Sequence, residues 1–213
     1  MDILLFGKPG AGKGTQAPAL AEKLGIATLA TGDVLRNAVR DGTALGKRAR
    51  EYMDRGDLVP DEVILGIVGE ALAAPQFRNG AIMDGVVRTV PQAEGLERVL
   101  GGMKRKLDAV LAFDIDNEEI VRRLSSRLVC GTCQTPYTAD MHTVGDKCPK
   151  CGGTLGRRRD DEPSAIRNRL TVYEQQTAPV FDWYKRNDTK IAVVDAVGEI
   201  DDVTKRALKA LGR

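Results

Sequence analysis

All four cysteines of the chain lie in one short segment, as two C-x-x-C pairs: Cys130 with Cys133, and Cys148 with Cys151. Four thiolates at this spacing can surround one Zn²⁺ ion tetrahedrally, which leaves no open position on the metal for chemistry. The pattern therefore favours a structural zinc site; a redox motif and simple reduced thiols are the alternatives. Because four sulfurs complete the coordination, we expect the only histidine, His142, to be an exposed loop residue.

The composition limits the partners that the chain can have. Lys and Arg total 32, Asp and Glu total 30, and the net charge is +2. Nucleic-acid-binding proteins normally show a clear basic excess, so we expect no nucleic acid partner. No apolar run approaches the roughly 20 residues of a membrane helix, and the start, MDILLFGKPG, has no leader pattern. We therefore expect a cytoplasmic protein without a membrane partner, in a compartment that disfavours disulfides.

Residues suited to phosphate binding lie near the start of the chain. The apolar run Asp2–Phe6 leads directly into GKPGAGKGT at residues 7–15. A helical stripe follows, formed by Ala17, Leu20, Ala21 and Leu24. A strand, a glycine-rich loop and a helix form a phosphate-binding loop, in which backbone N–H groups and the helix N-terminus face the phosphates. Lys13 would supply a cation, and Thr15 the hydroxyl for magnesium, since Gly14 occupies the usual position of that hydroxyl.

Further apolar runs predict the rest of a sheet. They lie at 27–30, 81–83, 109–113 and 191–194. Five such strands with helices between them predict a doubly wound α/β fold with a mostly parallel sheet. Asp84 directly follows one of these runs, at the place where a second element of a phosphate site brings a carboxylate near magnesium.

Two segments interrupt the alternation of strands and helices. Residues 31–60 are polar with a helical pattern, and residues 122–160 contain the cysteines and little apolar periodicity. Arginines lie on these insertions or at their hinges: Arg36, Arg88, Arg123, Arg127, Arg158 and Arg169. A helix predicted at about 118–128 would place Arg123 and Arg127 on one face, where an anion would have to balance them. As a group, the arginines indicate a polyphosphate ligand and phosphoryl transfer.

Several motifs together resemble the adenylate kinase family, in its bacterial long-lid type that contains zinc, over essentially the whole chain. Besides the cysteines, they are GKPGAGKGTQ at 7–16, TGDVLR at 31–36, DLVPDE at 57–62, RNG at 78–80, MDG at 83–85, RTVPQA at 88–93, RRDD at 158–161 and VDA at 194–196. The resemblance implies a P-loop kinase core with a five-stranded parallel sheet flanked by helices, formed by residues 1–30, 61–121 and 161–213. It further implies an AMP-binding subdomain at 31–60 and a zinc-stapled lid at 122–160.

The same resemblance implies the reaction Mg-ATP + AMP = 2 ADP in a monomer whose lid closes and excludes water. Its partners would be ATP, AMP and ADP, with Mg²⁺ accompanying ATP and Zn²⁺ as a structural ion. The implied ATP-binding residues are Gly10, Ala11, Gly12, Lys13, Gly14, Thr15, Arg123, Arg127 and Gly198. The implied AMP-binding residues are Thr31, Arg36, Asp57, Val59, Gly85, Arg88, Gln92, Arg158 and Arg169.

Among these residues, Gln92 would read the adenine of AMP. Magnesium would be ordered through water by Thr15, Asp33 and Asp84. The catalytic residues would be Lys13, Arg88, Arg123, Arg158 and Arg169. Asp160 and Asp161 would help to orient the arginines of the lid.

One position departs from the family pattern. Related enzymes usually carry Gly-Phe-Pro-Arg where this chain has Gly85-Val86-Val87-Arg88, and the proline commonly follows a cis peptide bond. Without proline a cis bond costs roughly 2.5–4 kcal/mol, so we predict a trans bond between Val86 and Val87. We expect looser AMP binding with ATP affinity little changed; harmless packing of the two valines is the alternative.

Two other functions stay open at this point. The acceptor could be another nucleoside monophosphate, although Thr31 and Gln92 favour adenine. Alternatively, the phosphate loop could belong to a nucleotide-dependent switch that uses zinc to bind a partner or RNA. The near-neutral charge and the arginines suited to paired phosphorylated substrates favour the kinase.

Overall fold

The computed structural model describes residues 1–213. The strands are β1 (Asp2–Phe6), β2 (Ala27–Ala30), β3 (Ala81–Asp84), β4 (Ala109–Asp114), β5 (Arg127–Cys130), β6 (Pro136–Thr138), β7 (Leu155–Gly156) and β8 (Ile191–Asp195). The helices are α1 (Lys13–Leu24), α2 (Thr31–Arg40), α3 (Ala44–Arg55), α4 (Asp61–Leu72), α5 (Val90–Gly102), α6 (Asn117–Ser126), α7 (Pro163–Val172), α8 (Ala178–Arg186) and α9 (Ile200–Leu211). No helix combines the length and apolar character that crossing a membrane requires.

Five strands form a parallel sheet in the order β2-β3-β1-β4-β8, which confirms the predicted fold class. Both faces of the three central strands, β3, β1 and β4, are buried. Along β1, Leu4 and Phe6 pack toward helices α4, α5 and α8, whereas Ile3 and Leu5 pack toward α1, α6 and α9. Burial on both faces requires continuous apolar strands, and this is why the short apolar runs were visible in the sequence.

The carboxyl ends of three strands meet at one edge of the sheet. Asp84, the last residue of β3, pairs with Leu5 of β1 and with Ala30 of β2. The glycine-rich loop that follows β1 and Thr31 that follows β2 therefore begin beside Asp84. Ligands of open parallel α/β sheets bind at this edge.

The cysteine-bearing segment forms its own antiparallel sheet, in the order β6-β5-β7, which the sequence did not predict. The predicted helix at about 118–128 is too long, because α6 ends at Ser126 and Arg127 begins β5. Arg123 and Arg127 therefore do not share a helix face, which corrects the prediction. Serine is a weaker helix former than the residues before it, and Arg127 instead pairs with Thr138 of β6.

The peptide bond between Val86 and Val87 is trans, as predicted, and no peptide bond of the chain is cis. Both valine side chains are buried, with 0% and 3% of their surface exposed. They pack in the same apolar cluster as Phe6 and Leu96. The segment that leads to Arg88 is therefore anchored in the core.

Candidate active site

The glycine-rich loop leaves free N–H groups at the start of α1. Gly10 and Gly12 have φ angles of 86° and 89°, a left-handed conformation that glycine adopts without steric cost. The N–H groups of Gly12, Lys13 and Gly14 donate no hydrogen bond within the protein. Together with the positive end of the α1 dipole, these groups form an anion-binding site.

Lys13 extends back across this loop. Its Nζ donates hydrogen bonds to the carbonyl oxygens of Gly7 at 2.6 Å and Lys8 at 2.9 Å. Burial lowers the pKa of Lys13 to about 8, although the carboxylate of Asp84 opposes the shift. The positive charges of neighbouring arginines, Arg88 first among them, lower the pKa further. An incoming phosphate would relieve this repulsion.

Asp84 offers free carboxylate oxygens at the mouth of the loop. Its side chain accepts no hydrogen bond, and Oδ2 lies 3.3 Å from the position that a Cβ atom on Gly14 would take. The hydroxyl of Thr15 is also free of protein partners. Oxygen groups of this kind suit Mg²⁺ and its bound water. Asp33, in contrast, forms an ion pair with Arg36, so it would have to share its carboxylate to assist the metal.

A second site, a cleft lined by 15 residues, opens beside the loop. Its apolar wall consists of Leu35, Met53, Leu58, Val59 and Ile64. Of the residues assigned to AMP by resemblance, those lining it are Thr31, Arg36, Asp57, Val59, Gly85, Arg88, Gln92 and Arg169. Arg158 does not line it. An apolar wall beside a group of cations fits a ligand with a flat base and a phosphate.

Arg88 is held in the cleft through its backbone. Its N–H donates to Oε1 of Gln92 at 2.7 Å, and its carbonyl oxygen accepts from the Thr177 hydroxyl at 2.9 Å. The guanidinium group itself has no ion-pair partner in the protein. Desolvation lowers the pKa of Arg88, and the charge of Arg169 adds to that shift. The side chain is thus a buried cation with no carboxylate in direct contact.

Acidic residues orient some of the other arginines. Arg127 donates to Oδ2 of Asp161 at 2.7 Å, and Arg169 donates to Oδ1 of the same carboxylate at 3.0 Å. Arg169 also pairs with Asp160 at 3.1 Å. The predicted association of Asp160 and Asp161 with the arginines is therefore observed. Burial alone would raise the pKa of Asp160, but the charge of Arg169 and then that of Arg158 hold it below its usual range.

Two guanidinium groups keep buried nitrogen atoms without partners. The Nε atoms of Arg36 and Arg158 are buried and make no hydrogen bond. Arg158 has no ion-pair partner at all, and burial lowers its pKa to about 9, with the charge of Arg36 as the next cause. Buried polar groups in proteins normally have partners, so these two indicate an anionic ligand.

Arg123 connects the loop to the last strand. Its Nη2 donates to the carbonyl oxygen of Ala196 at 3.0 Å, and Nε donates to Glu119 at 2.8 Å. Its Nη1 lies 3.6 Å from where a Cβ atom on Gly12 would be. Arg123 and the segment that contains Gly198, both assigned to ATP by resemblance, are therefore adjacent to the phosphate loop.

Sequence reasoning missed several residues of the site. Leu35, Met53, Leu58 and Ile64 belong to the apolar wall. Leu35 and Leu58 lie inside the motifs TGDVLR and DLVPDE, whereas Met53 and Ile64 had no signal beyond their apolar type. It also missed residues that hold Arg88 and Gln92 by hydrogen bonds, namely Asp61, Thr89 and Thr177. Thr89 caps α5 three residues before Gln92, which is a local pattern, whereas the contacts of Asp61 and Thr177 join residues far apart in the chain and leave no pattern in a single sequence.

The four cysteine sulfurs form a compact group, all within 4.8 Å of one another. Sγ of Cys130 lies 3.5 Å from that of Cys151, and Sγ of Cys133 lies 3.7 Å from that of Cys148. A disulfide would be about 2.05 Å long, whereas Zn–S bonds of about 2.3 Å place tetrahedral sulfurs about 3.8 Å apart. The donor set and its spacing therefore fit zinc.

His142 lies outside this sulfur group but is less exposed than predicted. Its side chain is 23% exposed, because the ring packs edge-on against Tyr137 with 4.9 Å between the ring centres. Tyr137 in turn contacts Sγ of Cys148 through its hydroxyl at 3.1 Å. His142 thus packs against Tyr137 beside the sulfur group and is not one of the groups that could bind the metal.

The two segments that interrupt the core contact each other directly. Arg40 of α2 donates to the carbonyl oxygen of Thr132 at 3.4 Å. Arg159 pairs with Asp54 of α3 at 3.4 Å. All four residues are exposed, so each contact contributes little stability by itself. The contacts nevertheless connect the segment at 122–160 with α2 and α3.

Comparison with known proteins agrees with this arrangement. Residues 5–189 match the model of the family described as adenylate kinase. An adenylate kinase of Gemmatimonas aurantiaca is 54% identical over 213 residues, which cover 99% of both chains. Adenylate kinases of Syntrophotalea carbinolica and Methanothrix thermoacetophila are 47% and 46% identical, over 100% of this chain and 99% of theirs. The chain therefore belongs to the adenylate kinase family of nucleoside monophosphate phosphotransferases.

Proposed function

We propose that the chain catalyses Mg-ATP + AMP = 2 ADP, with ATP at the glycine-rich loop and AMP in the cleft. The observation that carries this proposal is the position of Lys13, Arg88 and Arg169. Arg88 and Arg169 line the cleft, and both are close enough to lower the pKa of Lys13 in the loop. One group of cations thus faces two adjoining nucleotide sites, as direct transfer between two phosphates requires.

The chemistry needs charge stabilisation more than it needs a general base. A phosphate oxygen of AMP attacks the γ-phosphorus of ATP, and the bond from that phosphorus to the β-γ bridging oxygen breaks. The electron pair of that bond leaves with ADP. Lys13, Arg88 and Arg169 stabilise the negative charge on the transferred group, and Arg158 supplies a further unpaired cation.

The two metals have different roles in this proposal. Mg²⁺ would neutralise phosphate charge, held through water by the free oxygens of Thr15 and Asp84, with Asp33 contributing if it releases Arg36. Zn²⁺ would hold the four cysteines together and stiffen residues 122–160, the lid. The contacts of Arg40 and Arg159 with the opposite segment support closure of this lid, which would exclude water and prevent hydrolysis of ATP. A monomeric state and a cytoplasmic location stay predictions.

The test is product analysis with purified protein, Mg²⁺ and ATP. ADP should form only when a nucleoside monophosphate is present, and AMP should be the best acceptor in a panel with GMP, UMP and CMP. Equal use of another monophosphate would contradict the assignment to AMP. Slow phosphate release from ATP alone, independent of any acceptor, would indicate a nucleotide-dependent switch.

A further inference from the structure

The cleft contains one side-chain amide, and the protein fixes its orientation. Gln92 is 1% exposed and is the only Asn or Gln that lines the cleft. Its Nε2 donates to Oδ1 of Asp61 at 2.8 Å, and its Oε1 accepts from the N–H of Arg88 at 2.7 Å. An ionised carboxylate can only accept hydrogen bonds and a backbone N–H can only donate them. Of the two orientations of the amide, only one satisfies both partners.

Asp61 is itself held in place. Its Oδ1 also accepts from the hydroxyl of Thr89 at 3.1 Å, and that hydroxyl accepts from the backbone N–H of Gln92 at 3.2 Å. Asp61 is the first residue of α4, where a negative charge is stabilised by the helix dipole. The carboxylate therefore connects the start of α4 with the start of α5 beneath the cleft.

The amide keeps bonding capacity for a ligand. A glutamine side chain offers two N–H donors and two acceptor lone pairs, and Asp61 and Arg88 use one of each. One donor and one acceptor are left, at positions that the fixed orientation sets. Adenine carries a donating amino group at C6 beside the acceptor N1, whereas a 6-oxopurine carries an acceptor at C6 beside a donating N1–H. The two kinds of purine thus require opposite orientations of the amide.

We propose that Asp61 is a specificity-determining positioning residue, which holds Gln92 in the orientation that accepts a 6-aminopurine monophosphate and rejects a 6-oxopurine one. The proposal rests on the proposed function for the identity of the acceptor site. A site with fixed polar groups discriminates strongly, because the wrong base leaves buried donors and acceptors without partners. In a protein without the Asp61 carboxylate, a Gln92 amide rotated by 180° would lose only its hydrogen bond with the N–H of Arg88.

The experiment compares AMP with inosine monophosphate, which has nearly the same shape and differs at C6 and N1. In Asp61→Asn, whose neutral amide can both donate and accept, the preference for AMP should fall about tenfold. The change should appear in the KM of AMP and in the competitive inhibition constant of inosine monophosphate, with little change in kcat. The matched control is Glu62→Gln, which removes the neighbouring, exposed acid of the same helix turn and should keep the wild-type preference.

Asp61→Ser, which leaves room for a water molecule, serves as the second variant if Asp61→Asn does not fold. A preference for AMP that stays at the wild-type value in the folded variant would overturn the proposal. So would an equal loss for both nucleotides, since that result indicates a structural role alone. Failure of the proposed function is distinguishable, because then wild-type protein itself would form no ADP from ATP and AMP.

Discussion

The Nε atom of Arg127 donates a hydrogen bond to Oδ2 of Asp161 at 2.7 Å, and Arg169 donates to Oδ1 of the same carboxylate at 3.0 Å. The Asp161 side chain is 3% exposed. One buried carboxylate therefore fixes two of the cations that we assign to phosphate binding. Because Arg127 begins β5 and Arg169 lies on α7, the carboxylate also connects the lid with the core.

Replacing this carboxylate should affect both stability and turnover. In Asp161→Asn, two guanidinium groups lose a charged acceptor, so we expect a loss of about 1–3 kcal/mol in the free energy of unfolding. Turnover should fall at least about tenfold, since Arg127 loses the charged acceptor that orients it and Arg169 keeps only its contacts with Asp160. Thermal unfolding and steady-state kinetics measure the two effects. Asp202→Asn, which breaks an exposed pair with Lys205, is the control and should change neither. Wild-type behaviour of Asp161→Asn would show that the pairing has no function.

Lys13 should be essential for turnover but not for folding. Its ammonium group lies in the phosphate loop and is the cation we place nearest to the transferred phosphate. Lys13→Met should therefore lower kcat at least about a hundredfold, while circular dichroism and the melting temperature remain close to wild type. Lys23→Met, on the exposed side of the same helix, is the control. Near-normal turnover in a folded Lys13→Met protein would refute the assignment.

The lowered pKa of Lys13 predicts proton uptake when ATP binds. At pH 8 about half of the free protein carries a neutral Lys13, because its pKa is about 8. Bound polyphosphate favours the ammonium form and raises this pKa, so binding should take up about half a proton at pH 8. ATP affinity should consequently weaken as the pH rises above 8. Calorimetry in buffers of different ionisation enthalpy measures the uptake, and the difference from Lys13→Met isolates the contribution of this residue. An equal uptake in both proteins would contradict the prediction.

The parts of the fold that the sequence could predict are those with a local pattern. The run Ala109–Phe113 is uniformly apolar because both faces of the sheet are buried, and the glycines of the loop mark a backbone conformation that other residues avoid. The strands around the cysteines carry no such pattern, since they are short and Leu155–Gly156 comprises only two residues. The hydrogen bonds from Thr177 to Arg88 and from Gln92 to Asp61 depend on tertiary packing, so no local pattern indicates them.

The sulfur group should bind one zinc ion per chain and stabilise the lid. Since the site would have four sulfur ligands and no open position, Cys133→Ser should lower the melting temperature more than it lowers initial activity in the cold. Metal analysis and thermal unfolding measure the two properties. Met141→Ser, an exposed change in the same segment, is the control. Absence of zinc from the native protein, or a disulfide within either C-x-x-C pair, would contradict this prediction.

Restoring the family's Phe-Pro at positions 86 and 87 distinguishes a binding role of the two valines from simple packing. From the sequence we expected weaker AMP binding, because an aromatic ring beside the AMP pocket is lost. In the structure both valines are buried in the core, and neither lines the cleft. We therefore expect the KM values of AMP and ATP to stay within about twofold of wild type.

The larger phenylalanine would have to enter a packed core, so the free energy of unfolding should fall by about 1–3 kcal/mol. Thermal unfolding measures the change in stability, and the two Michaelis constants show whether nucleotide binding changes. A lower KM for AMP, with that of ATP unchanged, would instead show that the valines weaken AMP binding in this chain.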